Sequence, residues 1–198
     1  MSEQSTIITF DTEEQKQVIS KEVPIFALVP ETSPILKQVM PEFDFQNPIM
    51  NPIELSSSLI ETCKKYNGYG LSANQVGVET RVFVMGVGKE YIACFNPTII
   101  AASTEDVHMA EGCLSFPMLA LMITRPSGVV VDYQDYKGEH HQANFVGMSA
   151  RCFLHELDHL NGIVYTSKCK PMALQQGLKK RGKINHLINK AKKTVGKL

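Results

Sequence analysis

Two histidines four residues apart enclose a glutamate in the run His155-Glu156-Leu157-Asp158-His159. On a helix of about 3.6 residues per turn, positions i and i+4 lie one above the other. Two imidazoles so placed can chelate one metal ion at little extra ordering cost. Glu156 lies about 100° round the helix axis from His155. It can therefore reach a water at the metal without ligating, which is the placement of a carboxylate general base.

Two histidines leave a catalytic site short of its usual third protein ligand. In many metalloproteases that ligand is a downstream Glu or His. Here no Asp or Glu follows His159, and only Cys169 and His186 offer donors. The third ligand is therefore expected upstream. One candidate is Cys113 in Glu111-Gly112-Cys113-Leu114-Ser115, where Gly112 would let backbone approach the centre and Pro117 would end the run. The other is Cys152, one turn before His155 on the same helical face. A His/His/Cys set with one open position suits zinc, ferrous iron, cobalt or nickel. A metalloprotease or other amidohydrolase built on the same helix is the alternative reading at this point.

The elements that must position these groups can also be read. A helix is expected to start near Ser149 as N-cap and to stop at Asn161-Gly162. An earlier helix begins at Pro52, carries Leu55, Leu59, Cys63 and Tyr66 on one stripe, and ends at Asn67-Gly68. Residues 81–87 and 91–95 are apolar strand runs, and 128–132 and 141–146 flank a Lys137-Gly138 turn. The expected class is α+β, with mixed or antiparallel sheets packed around a central helix bearing the H-E-x-x-H run. Residues 1–22 are expected to form a flexible arm, 23–167 the hydrolase domain and 168–198 a basic helical tail.

Net charge is zero, yet Leu160 to Leu198 holds ten Lys/Arg and no acid. Such a segment favours a phosphate-rich surface. The five cysteines are an odd count in a chain whose N-terminus lacks an apolar leader pattern. They are expected to be reduced thiols in the cytoplasm. No run is apolar enough for a membrane span.

Three segments together resemble the peptide deformylases. They are Gly68-Tyr-Gly-Leu-Ser-Ala-Asn-Gln75, Glu111-Gly-Cys-Leu-Ser115 and His155-Glu-Leu-Asp-His-Leu-Asn-Gly162, in the family's order. The first also fits a loose dinucleotide fingerprint, but a helix precedes it and a strand follows, the reverse of what that motif needs. The resemblance implies removal of the formyl group from the N-terminal methionine of new polypeptides. It implies Cys113, His155 and His159 as ligands of one divalent ion, with Fe2+ as the working metal. Glu156 would move the proton, while the Gln75 side chain and the Leu114 N–H would face the oxyanion. Tyr69, Gly70, Gly112 and Cys152 would contact the substrate.

The chain is expected to be a monomer, and its basic tail, as such tails do in some relatives, to make transient contact with the ribosome. Many relatives carry a basic or polar residue where this chain has Met118–Met122. A more apolar entrance is expected here. Arg125 is expected to pair with Asp158 or Glu156.

Overall fold

The computed structural model describes residues 23–195, with side chains to 192; the expected arm, residues 1–22, lies outside the described residues. Helix α1 spans Pro52–Lys65. Asn51 caps it, its side chain accepting from Ile53 N at 3.0 Å and Glu54 N at 3.2 Å, and Pro52 fits the first turn without losing a needed N–H.

Seven strands follow: β1 (Gly70–Ser72), β2 (Val82–Val87), β3 (Glu90–Ala102), β4 (Asp106–Cys113), β5 (Phe116–Pro126), β6 (Gly128–Gln134) and β7 (His140–Val146). Helix α2 (Gly147–Leu160) follows β7, and α3 (Pro171–Val195) closes the described chain. β1-β2-β3-β6-β7 form one antiparallel sheet, and β4 and β5 form a separate hairpin.

Alternation of side chains across β2 explains its uninterrupted apolar run. Phe83 and Met85 join a core with Phe153, Leu157 and Leu160 of α2. Val82 and Val84 face the other way, into a core with Leu55, Leu59 and Cys63 of α1. The sheet is thus covered on both faces. A third core holds Leu119, Leu121 and Ile123 of β5 against Leu36, Val164 and Tyr165.

Two local expectations are corrected. Ser149 is not the N-cap: α2 begins at Gly147 (φ 58°), whose N–H donates to Ser127 O at 2.9 Å. A tertiary hydrogen bond takes the place of a side-chain cap. Nor does Pro117 end the run after Cys113. It lies inside β5, a two-stranded hairpin's strand with room for a residue lacking a donor. Among the described residues no helix is long and apolar enough to cross a membrane.

Candidate active site

The stripe of α2 that carries Arg151, His155 and His159 faces the β4–β5 hairpin. A register shift between Glu111 and Cys113 interrupts the ladder there, and shifts of this kind re-aim side chains. Cys113 Sγ lies 3.2 Å from His159 Nε2. Donor atoms of Cys113, His155 and His159 all fall within 4.8 Å of one another. Tetrahedral bonds of the usual lengths separate such donors by about 3.4–3.6 Å. The trio therefore fits a single small divalent ion. A second cluster, Asp135, Glu139 and His141, sits at the solvent-facing β6–β7 turn, where His141 pairs with Asp135 at 2.9 Å.

Neither competing cysteine joins the trio. Cys152 is buried beside Gly70, and burial, then the Glu156 charge, pushes its thiol well above the ordinary range. Cys169 points at Thr166 O at 3.4 Å, and His186 lies on the exposed side of α3.

Behind His155 lies a buried polar network that extends well beyond the expected Arg125–Asp158 pair. Glu111 Oε2 is 2.9 Å from His155 Nδ1 and accepts from Arg125 Nη2 at 2.9 Å, while Arg151 Nη1 donates to Glu111 Oε1 at 2.6 Å. Burial alone would raise the Glu111 carboxyl, but His155 and Arg125 outweigh it and hold it down to about 2. Arg125 also donates to Asp158 Oδ2 at 2.7 Å, and Lys168 reaches Asp158 Oδ1 at 2.9 Å. Arg125 therefore pairs with Asp158 and Glu111, not with Glu156. Spacing carried a trace of this: Arg151, His155 and His159 repeat every four residues.

The two histidines differ. Burial opposes the His155 cation, yet hydrogen bonds to Cys113 and Glu111 push its pKa up to about 10. Burial, reinforced by the His155 and Arg125 charges, holds His159 well below the usual range, so it is neutral. His159 Nδ1 is buried with no hydrogen-bond partner among the described residues. Only His155 has the carboxylate support commonly found behind a ligating imidazole.

Glu156 is buried beside this cluster, and burial raises its pKa. The Ser72 hydroxyl donates to Glu156 Oε2 at 2.7 Å. Ser72 belongs to β1, and its N–H donates to Gln75 Oε1 at 2.9 Å. That bond turns Gln75 Nε2 toward Cys113 Sγ at 3.3 Å and Ser115 Oγ at 3.0 Å. Asn74 Nδ2 donates to His159 O at 2.7 Å, tying the same turn to α2.

A cleft of about 960 Å³ opens over these groups. Tyr69, Gly70, Gly112, Leu114 and Cys152 all line it, as do Met118 and Ala120. Gly70 has no room for a side chain: a Cβ there would stand 2.5 Å from Glu156 Oε1 and 2.7 Å from Cys152 Sγ. At Gly112, by contrast, a Cβ would meet no protein atom within 4 Å. Of the segment Met118–Met122, Met118, Leu119 and Ala120 line the cleft, and Lys180 of α3 lines it as well.

A family model described as polypeptide deformylase matches residues 25–175. The chain belongs to the peptide deformylase family. A deformylase of Thermotoga neapolitana is 42% identical over 139 residues, covering 70% of this chain and 83% of the relative. The crystal structure of the Thermotoga maritima deformylase superposes with a TM-score of 0.71 at 34% identity, covering 75% of this chain and 99% of that one. A class I type b deformylase from Acinetobacter baumannii, bound to Met-Ala-Ser, has a TM-score of 0.70 at 27% identity, covering 74% and 99%. The helices and antiparallel sheets described above are thus those of the deformylase fold.

Proposed function

We infer that this deformylase hydrolyses the formyl amide of N-formyl-methionyl peptides on one divalent ion held by Cys113, His155 and His159. The carrying observation is the convergence of a thiol and two imidazoles next to the buried Glu156 carboxyl. Bound there, the ion supplies Lewis acidity that brings a water's pKa near neutrality. Fe2+ is our reading of the working metal, with Zn2+, Ni2+ and Co2+ suited to the same donors.

Glu156 takes the proton from the attacking water and delivers it to the leaving amine. The raised affinity of a buried carboxyl for a proton suits both halves of that transfer. Ser72 holds the carboxylate in place. Gln75 Nε2 and the Leu114 N–H donate to the formyl oxygen as it gains charge, at about 3 kcal/mol each. The methionine side chain lies against Tyr69 and Cys152, and Gly70 and Gly112 present backbone to the peptide. The Met-Ala-Ser complex of the Acinetobacter relative supports a peptide in this cleft.

Residues 23–167 form the catalytic unit in this reading, with 168–198 as a basic extension. Its exposed lysines make a transient ribosome contact, testable by co-sedimentation that weakens steeply with salt. A cytoplasmic setting fits the five free cysteines, and we read the chain as a monomer. The decisive assay is formate release from formyl-Met-Ala by iron- or nickel-loaded protein. Absence of formate would overturn the assignment.

A further inference from the structure

Helix α3 forms one wall of the cleft. Gly177, Lys180 and Ile184 line it together, at helical positions i, i+3 and i+7, which share a face. Gly177 permits this approach: a Cβ there would lie 2.8 Å from Leu121 Cδ2 and 3.1 Å from Leu119 Cδ1. The next turn is fixed by Arg181, whose Nη1 and Nη2 donate to Glu31 at 2.7 and 3.1 Å. Pinning Arg181 sets the rotation of α3, and so directs the neighbouring Lys180 at the cleft.

The other charges in the cleft are already engaged. Glu111 and Arg151 are bonded to each other at 2.6 Å and buried, while His155 and Glu156 belong to the reacting end. Lys180 is exposed, and no ion pair or hydrogen bond among the described residues engages it. Phe116, the cross-strand partner of Cys113, is three positions before Leu119, against which α3 packs. That is about 10 Å along β5. An extended peptide covers the same span with about three residues.

We propose that Lys180 is a specificity residue that recognises a carboxylate about three residues from the formyl end of the peptide. The proposal rests on the deformylase reading. The carboxylate has two sources: an acidic side chain at the third position, or the free C-terminus of a tripeptide. An exposed charge pair of this kind is worth a factor of about two to five at low salt.

The test compares kcat/KM for formyl-Met-Ala-Ser against its C-terminal amide, and for formyl-Met-Ala-Asp-amide against the Asn analogue. Wild type is expected to favour the anion about threefold in at least one pair, and the pair that responds names the source. Lys180→Met is expected to bring that ratio to one, Lys180→Glu to invert it, and Lys183→Met, off the cleft, to keep it. Ratios near one in wild type, or an unchanged ratio in Lys180→Met, overturn the proposal. Calorimetric binding of Met-Ala-Ser against Met-Ala-Ser-amide gives the same comparison without turnover. If no peptide releases formate, the deformylase reading fails, and the binding ratio still decides Lys180.

Discussion

Glu111 Oε2 stands 2.9 Å from His155 Nδ1, and the same carboxylate accepts from both Arg125 and Arg151. One acid thus fixes the ring of His155 and is the shared anionic partner of two buried guanidinium groups, with Asp158 as the second anion beside Arg125. Glu111→Gln keeps the shape but removes the charge. It is expected to cost about 3 kcal/mol of stability, read by urea unfolding. It should also weaken metal affinity about 10- to 100-fold in a chelator competition. Wild-type values in both assays would show that the network is dispensable.

Glu156→Gln tests the proton carrier. The amide retains a partner for the Ser72 hydroxyl but cannot take a proton. Formate release should fall about 10²- to 10⁴-fold with metal content unchanged at one ion per chain. Loss of the metal instead would mean that Glu156 serves the ion and not the proton.

Gly70→Ala places a methyl group where Glu156 and Cys152 already stand. Overpacking of this kind costs about 1–3 kcal/mol. Because the clash is with the carboxylate itself, turnover should drop more than thermal stability. Gly112→Ala, with open space around its Cβ, is the matched control for unfolding. Equal destabilisation by the two would contradict the packing described here.

Cys113→Ser and Cys169→Ser separate the two readings of the third ligand. The first is expected to lose stoichiometric metal, measured by mass spectrometry of the purified protein, and the second to keep it. The opposite pattern would move the site downstream and revive a protease-like arrangement.

The chemistry was legible where it followed local geometry. His155, Glu156 and His159 are set by the turn of one helix, and Cys113 by a short motif. The remainder depends on long-range pairing. Arg125 reads as a partner of Asp158 or Glu156; it does pair with Asp158, 33 positions away, but its other partner is Glu111, 14 positions away on the neighbouring strand. The β4–β5 hairpin was hidden by Pro117, although Leu119, Leu121, Ile123 and Arg125 alternate inward with period two. The tail read as a basic helix. That it closes over the cleft follows from Gly177 meeting Leu119 and Leu121, a contact invisible along the chain.

The Arg181–Glu31 clasp joins residues 150 positions apart, and α3 comes after every other described element. Chains emerge from the ribosome in order, at about 5–20 residues per second. Cys113, His155 and His159 therefore leave the ribosome before the helix that walls one side of the cleft. Only when Arg181 has emerged can the two ends of the fold be latched together. The cleft wall supplied by α3 is thus the last part of the described fold to leave the ribosome.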